Sequence, residues 1–478
     1  MADAAHTTPA ADGSTPGLPA APSPAAAGAP VTHRNRLKTI AVGLAVGLVL
    51  SDSSIVVLAL PDILARYSLD IQQVSWVLTG FNIVLALVAV PVAQLVRRRA
   101  PGLLLAGGMA IFAAASLCCA IAPSFEVLLV ARGVQAVGGA LAVTAGLEIL
   151  PTTTGSERRA AVIWGTAGAL GAAFGPALGG VLTQVFSWEA IFFIQVPAIL
   201  LALPTLRTKS HSVPMKAGRP HIAANLALLL LSAALTAALF LIVLVLIEGW
   251  QMTPIATAIV VSVMPIAAIV GARLLGGVGS LPARAAAGAL LLAGGLAGLA
   301  LLPSPVWWWT LPPQVAIGLG LGMTIGALTD AALHGHSSQA IHGGWTIAAR
   351  HVGLVLGIVA LTPLFTAQLT DQQTSVERYG VRLLLDSPLP LSERVAIAGR
   401  LGVVVDQANG RIPGLETVFG SAPADPAERS AWQDLHDRLA LAIREAATAA
   451  AAWPFLAAAG IALLALIPLG LGRRRLDL

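Results

Sequence analysis

Long apolar stretches of about 20 residues alternate along this chain with short polar turns. A helix of that length crosses the hydrocarbon core of a bilayer, so each stretch predicts one membrane span. The pattern predicts an all-α membrane protein with twelve transmembrane helices, at 38–60, 73–96, 102–122, 126–149, 159–183, 189–206, 223–248, 254–277, 284–303, 307–332, 344–368 and 450–472.

The spacing of these stretches divides the chain into two halves of six helices each. The predicted organisation is a disordered cytoplasmic tail (1–36), an N-terminal half (37–206), a cytoplasmic linker (207–222), a C-terminal half (223–472) and a cytoplasmic C-terminus (473–478). The C-terminal half includes an enlarged segment, 370–449, between helices 11 and 12. Two halves of equal helix number indicate an internal repeat, which in secondary transporters places the substrate site between the halves.

Composition and charge fix how the chain relates to the membrane. Hydrophobic residues make up 56% of it and charged residues only 11%. Nearly all Lys and Arg of the short loops fall on one side, which the positive-inside rule assigns to the cytoplasm. We therefore expect a multi-pass protein of the plasma (inner) membrane with both termini cytoplasmic. The net charge of +5 is then a topology signal, and the predicted partner is the lipid bilayer rather than nucleic acid.

Helix 5 carries a smooth face of small residues. Gly171, Gly175 and Gly179 recur every four residues, with Pro176 and Gly180 beside them. In a membrane such a face lets another helix approach closely, and a proline is tolerated where neighbouring helices satisfy the freed backbone groups. We predict that these five residues have a conformational role, in which helix 5 packs closely on a helix of the other half.

Two ionisable residues lie at matching depth in helices 1 and 4. Asp52 is about 12 Å and Arg132 about 9 Å from the outer ends of their helices at 1.5 Å per residue. Charges inside a membrane are costly and need a partner or a water-filled cavity. One interpretation is a proton-coupling site, in which Asp52 takes up a proton beside a permanently charged arginine. The other is a permanent structural ion pair between the two helices.

A second pair, Asp330 and Arg350, falls in the cytoplasmic third of helices 10 and 11. We favour a gating or structural ion pair here over a proton site. His351 follows Arg350 and has the pKa range of a switch, although a packed, hydrogen-bonded histidine is the alternative. The candidates for lining the substrate cavity are Gln135, Trp164, Gln314 and His351.

The sequence contains no phosphate loop, no paired Cys/His spacing typical of a metal site and no nucleophile motif. We therefore predict no enzyme activity, no cofactor and no metal. Active transport without an ATP site must draw on an ion gradient, which makes protons a predicted partner.

Several motifs resemble the major facilitator superfamily and, within it, the drug:proton antiporters. The stretch from Ser51 to Pro61 resembles the helix 1 signature of the second drug:proton antiporter family. The stretch from Arg132 to Gly139 resembles a helix 4 motif whose arginine is linked to proton transfer. Gly171 to Gly180 resembles the helix 5 antiporter motif, and Ala349 to Gly353 matches the pattern of helix 11.

The resemblance implies the major facilitator fold and a secondary active transporter that exports hydrophobic or amphipathic compounds, coupled to protons. The loop between helices 2 and 3 lacks the acidic residue of the family's gating motif. This eroded loop and the enlarged segment 370–449 favour an alternative, the export or flipping of a lipid or lipid-linked envelope precursor. A second alternative, from another class, is a non-transporting membrane receptor or scaffold.

Segment 370–449 has a pattern of its own. Asp425 before Pro426 is a candidate N-cap, and Leu435, Leu439 and Ile443 form an amphipathic stripe that begins near Trp432. We predict that helices 11 and 12 extend outward and enclose a small extracytoplasmic subdomain, called the cap below. The cap is either an inert insertion or a structure that docks a partner protein or shields the substrate.

Overall fold

The computed structural model describes residues 33–208, 219–333, 339–407, 415–420, 422–423 and 425–471. Residues 33–208 contain seven α-helices: α1 His33–Val57, α2 Leu60–Arg66, α3 Ile71–Arg98, α4 Pro101–Ala120, α5 Phe125–Thr154, α6 Glu157–Val185 and α7 Ala190–Phe193. A 3-10 helix, Val196–Thr205, completes this half.

The rest of the chain is also helical. Its α-helices are α8 Ile222–Leu244, α9 Pro254–Val261, α10 Val263–Leu274, α11 Leu281–Ala300, α12 Leu311–Leu333, α13 Gln339–Asp386, α14 Leu391–Gln407, α15 Glu416–Phe419, α16 Pro426–Leu464 and α17 Leu466–Leu471. A π-helical turn, Val245–Gly249, follows α8, and a 3-10 turn, Trp307–Thr310, precedes α12.

The predicted membrane spans coincide with helices. Ten helical segments of the described residues are long and apolar enough to cross a membrane. The helix α6, of 29 residues, and the shorter apolar stretch Ala190–Thr205 lie where the fifth and sixth spans are predicted. The all-helical membrane architecture is confirmed, and the count of twelve depends on including these two segments.

The ends of the helices follow from local sequence. Asp70 and Gln73 form a capping box that begins α3, since each side chain accepts a hydrogen bond from the backbone N–H of the other. Gly155 ends α5 in the left-handed conformation, with a φ of +66°, which glycine adopts without steric cost. The predicted tail, 1–36, lies outside the described residues except for 33–36, which form the first turn of α1.

The two sides of the bundle differ in charge. One side contains the start of α1 and the end of α3, where Arg97 and Arg98 lie. We call this side of the bundle the basic side. The opposite side carries the described part of 370–449 and is called the cap side.

The two halves touch mainly along α13 and along α6. α3 packs along α13, and α6 packs on α9 and α10. Near the basic side a Cβ on Gly344 of α13 would lie 2.9 Å from Ala93 Cβ of α3. On the cap side Gln184 Oε1 of α6 accepts a hydrogen bond from the Ile255 N–H of α9 at 2.9 Å. The halves therefore meet on both sides of the membrane region in this conformation.

The cap is a helical extension of the bundle. The 48 residues of α13 and the 39 residues of α16 both continue beyond the predicted spans, with α14 and α15 between them. Asp425 accepts hydrogen bonds from the N–H groups of Ala427 and Glu428, which confirms the predicted N-cap. The predicted stripe is buried, with Leu435 3%, Leu439 1% and Ile443 7% exposed.

An aromatic cluster closes the cap beside this stripe. Trp432 and His436 stack at 5.6 Å between ring centroids, and Phe419 of α15 meets Trp432 edge-on at 5.3 Å. Arg400 of α14 donates a hydrogen bond from Nε to the Val418 carbonyl at 2.6 Å. The described part of the cap therefore has its own packed core, which is continuous with the core of the bundle.

Candidate functional site

The structure brings Asp52 of α1 and Arg132 of α5 into direct contact. Arg132 Nη1 donates to Asp52 Oδ2 at 2.5 Å, and both side chains are fully buried. The depth estimate made from sequence alone therefore matches the geometry. An ion pair removed from water needs further hydrogen bonds to offset its desolvation, and neighbouring side chains provide them.

Two glutamines complete the shell of this pair. Gln135, one turn after Arg132, accepts from Arg132 Nη1 at 2.6 Å, and its own Nε2 donates to Ser116 Oγ at 2.8 Å and to Gln195 Oε1 at 2.7 Å. Gln195, between α7 and the 3-10 helix, donates from Nε2 to Asp52 Oδ1 at 3.0 Å. We call Asp52, Ser116, Arg132, Gln135 and Gln195 the polar network; each is at most 5% exposed.

Aromatic rings and a backbone carbonyl enclose the arginine. The guanidinium carbon of Arg132 lies 4.2 Å from the centroid of the Phe81 ring and 5.8 Å from that of Phe192, which are distances of cation–π contact. Arg132 Nε donates to the Val77 carbonyl at 3.2 Å. Within the described part of the chain Nη2 has no hydrogen-bond partner, so the guanidinium is not saturated.

The polar network offers one place for a proton. Arginine stays protonated in proteins, and amides and hydroxyls do not titrate in the physiological range, so Asp52 is the only member that can gain or lose a proton. Protonation would remove the negative charge from the ion pair and turn an acceptor into a donor. The two glutamines can adapt their hydrogen bonds to the protonation of Asp52, because rotation of an amide group exchanges its donor and acceptor ends.

The other predicted cavity residues lie apart from one another. Trp164 is 2% exposed and donates from Nε1 to the Val143 carbonyl of α5 at 3.2 Å, so it packs α6 on α5. Gln314 of α12 donates to Thr310 Oγ1 at 3.0 Å, and its buried Oε1 has no partner among the described residues. Gln135 belongs to the polar network.

His351 forms a hydrogen bond between the halves. Its Nδ1 lies 2.6 Å from Asn82 Oδ1 of α3, while Asn82 Nδ2 donates to the Leu78 carbonyl at 2.7 Å. Because the amide oxygen can only accept, Nδ1 of His351 is the donor. A polar bond between α3 and α13 thus lies inside the bundle.

Asp330 and Arg350 do not pair in this conformation. Asp330 is exposed near the end of α12 and Arg350 is half-buried in α13, and no salt bridge within the described ranges joins them. Their gating role stays a prediction that concerns another conformation.

The glycine face of α6 has a different partner from the one expected. A Cβ on Gly171 would collide with the Gly47 carbonyl, one on Gly175 with Ser54 Oγ and one on Gly179 with the Ile55 carbonyl. All three contacts are with α1, in the same half. Of the predicted glycines Gly180 is the one that meets the other half, since its Cβ would lie 2.7 Å from the Pro254 carbonyl. The expectation that Gly171 and Gly175 pack on the other half is wrong.

Sequence reasoning missed Ser116, Gln195 and Asn82. Each is a polar residue inside an apolar span, which is the signal that was available, but helical periodicity does not reveal which spans are neighbours. Among the residues that the structure describes, no group of three His, Cys, Asp or Glu side chains has the arrangement of a metal site.

Comparison with protein families gives a match over most of the chain. A family profile described as Major Facilitator Superfamily matches residues 42–360. The curated relatives include the multidrug resistance protein Stp of Mycobacterium tuberculosis, 32% identical over 178 residues, which are 36% of this chain and 33% of the relative. The lincomycin resistance protein of Streptomyces lincolnensis is 35% identical over 165 residues, 33% of each chain.

A third relative gives a longer alignment. The methylenomycin A resistance protein of Streptomyces coelicolor is 28% identical over 229 residues, which are 46% of this chain and 47% of the relative. The chain thus spans a third to about half of the length of these relatives.

Solved structures share the fold. A bacterial homolog of the human lysosomal transporter Spinster, in an inward-facing and unoccupied conformation, has a TM-score of 0.61 at 17% identity and covers 91% of this chain and 98% of its own. At that identity the likeness concerns the fold alone.

Proposed function

Because the chain belongs to the major facilitator superfamily, a non-enzymatic class of membrane transporters, we propose that it exports hydrophobic or amphipathic compounds in exchange for protons. Three curated relatives are named for resistance to drugs or antibiotics, which supports an exported substrate. In this proposal the proton gradient across the membrane is the energy source for export.

The observation that carries proton coupling is the polar network. It holds one titratable acid, Asp52, fully buried against Arg132 and hydrogen-bonded to Gln195. Proton uptake by Asp52 weakens its attraction to Arg132, and proton release restores it. Because the network joins α1, α4, α5 and the segment at Gln195, each protonation state favours a different packing of these helices. The competing interpretation, a permanent ion pair, gives the same geometry and no change with protonation.

The orientation is part of the proposal. The basic side faces the cytoplasm and the cap side faces outward, because Lys and Arg near the ends of spans favour the cytoplasmic side of a membrane. Both termini then lie in the cytoplasm of a cell whose plasma membrane holds the protein, and the cap is extracytoplasmic.

Efflux from loaded proteoliposomes tests the coupling. Vesicles loaded with ethidium, and others loaded with carboxyfluorescein, are given an imposed pH gradient, and dye loss is followed by fluorescence. We expect the gradient to accelerate efflux of at least one dye from wild-type vesicles and to have no effect with Asp52→Asn. Asp62→Asn is the matched control, since Asp62 of α2 is an aspartate outside the polar network. Wild-type efflux that is equal with and without the gradient would remove the proton from the proposal.

The cap has a proposed role of its own, in shielding the substrate path or in docking a partner protein. Its buried Leu435, Leu439 and Ile443 and its aromatic cluster distinguish it from a solvated linker, which would lack an apolar core. Replacing 387–425 by a Gly/Ser linker is expected to keep the bundle folded and to reduce efflux. Unchanged efflux in that variant, together with rapid cleavage of the wild-type cap by added protease, would indicate an inert insertion.

A further inference from the structure

Arg350 is a cation inside the membrane region, and the described residues contain no ion-pair partner for it. It lies 11 residues from the start of α13 at Gln339 and six residues, or about 9 Å, inside the predicted span 344–368, in the cytoplasmic third of the hydrocarbon core. Unlike Arg132, it forms no salt bridge within the described ranges. An unpaired charge at this depth is expensive, and such residues in membrane proteins mark the paths of substrates and ions.

The exposed part of Arg350 does not face lipid. The lipid-facing stripe of α13 is marked by the exposed side chains of Trp345, Val352, Leu356 and Val359. At about 100° per residue, Arg350 lies between about 120° and 180° around the helix from every one of them. Arg350 is partly exposed although it lies on the side opposite to lipid, so its exposed part borders a gap inside the bundle.

Contacts above and below Arg350 fix that interior face. Gly343 and Gly357 lie seven residues to either side, within about 20° of Arg350 around the helix. A Cβ on Gly343 would collide with Leu147 of α5, in the other half, and one on Gly357 with the Ala233 carbonyl of α8. Arg350 therefore lies between a contact with the N-terminal half and a contact with α8, at the junction of the two halves.

The helices around Arg350 contain few acids that could neutralise it. α3 and α8 contain none. The acids nearest in the sequence of the other packed helices are Asp330 of α12 and Glu148 of α5, and the structure joins neither of them to Arg350. His351, the adjacent residue, points to Asn82 on α3. The positive charge is thus left for a group that enters from the gap.

We infer that Arg350 is the recognition group for an acidic head on the exported molecule, so that the substrate class is amphipathic acids with a carboxylate or phosphate. This inference rests on the proposed export function and names its substrate. A guanidinium presents two parallel N–H groups that match the two oxygens of such a head. In this proposal the hydrocarbon part packs against apolar side chains of the bundle, and the substrate's own charge offsets that of Arg350 during passage.

Binding of a matched pair of probes tests this assignment. The purified full chain in phosphatidylcholine nanodiscs is titrated with 6-(dansylamino)hexanoic acid and with its methyl ester, and binding is followed by energy transfer from tryptophan to dansyl. The two probes differ in the one charge that Arg350 would read. We expect the wild type to bind the acid about tenfold more tightly than the ester, as one charge-assisted pair provides.

Variants then locate the preference. Arg350→Gln should bring the two dissociation constants within about twofold of each other, while Arg350→Lys should retain part of the preference because it keeps the charge and loses the fork. Arg273→Gln is the matched control, since Arg273 is an exposed arginine at the end of α10, and its preference should equal that of the wild type. Equal binding of acid and ester by the wild type, or an undiminished preference in Arg350→Gln, would overturn the assignment.

Two further experiments extend this test. One distinguishes a lipid headgroup from a free acid, and the other distinguishes the assignment of Arg350 from the proposal of proton coupling. Movement of fluorescent phosphatidylglycerol but not phosphatidylcholine between leaflets, dependent on Arg350, would identify the head as that of a lipid; preference for the dansyl acid without such movement identifies a free amphiphile. Asp52→Asn should keep the acid preference while it loses gradient-driven efflux. If the wild type showed no proton-coupled efflux but still preferred the acid, the proposal of proton-coupled export would be wrong and the assignment of Arg350 would stand.

Discussion

The N-terminal and C-terminal halves are both helical bundles, but their buried charges differ: among the described residues those of the N-terminal half are paired, and the cation of the C-terminal half is not. α1 carries Asp52 and α5 carries Arg132, and the two are sealed in a network that also includes two glutamines. Their counterparts are α8, which has no charged residue, and α12, whose buried Gln314 bonds only Thr310 among the described residues. In the C-terminal half the cation inside the membrane region is Arg350, for which the described ranges contain no ion-pair partner.

This contrast separates two tasks. A paired and buried acid can respond to protons without meeting the substrate, whereas a lone cation beside open space can meet a substrate and cannot take up a proton. The comparison predicts that variants of the N-terminal network change stability and coupling, and that variants of Arg350 change selectivity.

The largest expected effect comes from breaking the N-terminal pair. Arg132→Leu leaves Asp52 as a buried, unpaired charge, which costs about 3–5 kcal/mol of unfolding free energy. Arg350→Leu leaves no buried acid without its partner, so it should change the free energy of unfolding little or raise it. Denaturant titrations in mild detergent measure both.

The double variant Asp52→Asn/Arg132→Leu tests whether the unpaired charge of Asp52 causes the loss of stability. It removes both charges and should recover much of the stability that Arg132→Leu loses. Equal losses for Arg132→Leu and Arg350→Leu would contradict the contrast between the halves.

The next effect separates contacts within a half from contacts between halves. Gly175→Leu forces a side chain against Ser54 of α1, and overpacking of this kind costs about 1–3 kcal/mol. Gly180→Leu forces a side chain against Pro254 in the other half and should open the cap side while the N-terminal half stays folded. Distances between spin labels at Val185 and Gln251 measure the opening. A longer label distance in Gly175→Leu than in Gly180→Leu would reverse the assignment of the two glycines.

A smaller effect is expected from the single polar bond between the halves. Asn82→Ala and His351→Ala each remove a hydrogen bond of about 0.5–1.5 kcal/mol, and the double variant should cost less than the sum, because both substitutions remove the same bond. The double-mutant cycle is measured on the free energy of unfolding. Full additivity would mean that the bond contributes nothing.

The smallest effect concerns Asp62, on the cap side of the N-terminal half. Burial and, secondarily, the charge of Glu189 raise the pKa of the Asp62 carboxyl above its ordinary value of 3.8. The folded protein then holds this proton at pH values where the unfolded chain has lost it, so the stability decreases as the pH rises through that range.

Asp62→Asn should flatten this part of the profile by less than about 1 kcal/mol, since the side chain is partly solvated. Unfolding curves between pH 4 and 7 measure the difference. A wild-type stability that rises more steeply than that of the variant over this range would contradict the direction of the shift.

The sequence predicted the elements better than their partners. Hydrophobic runs are local, so the spans and the buried stripe of Leu435, Leu439 and Ile443 could be placed directly. The pairing of Asp52 with Arg132 was accessible because only two charges share that depth. Gln195 was not, since its place in the network depends on how the short segment after α7 folds back onto α1 and α5.

The glycines of α6 show the same limit. Their spacing predicts a close helix contact and not which helix provides it, so Gly175 was assigned to the wrong half. Asp330 and Arg350 were paired by depth alone, as Asp52 and Arg132 were, and here depth was not enough because α12 and α13 turn these residues to different environments.

The length of α13 gives the protein a mechanical property. From His351, where it crosses α3, to Asp386 the helix extends about 52 Å, and α14 and α16 are packed on its far part. A continuous helix of this length acts as a lever: a tilt of about 10° at the crossing moves its tip by about 9 Å. Small rearrangements inside the membrane are thereby amplified into large displacements of the cap, where a fluorophore pair attached outside the bilayer can read the transport cycle.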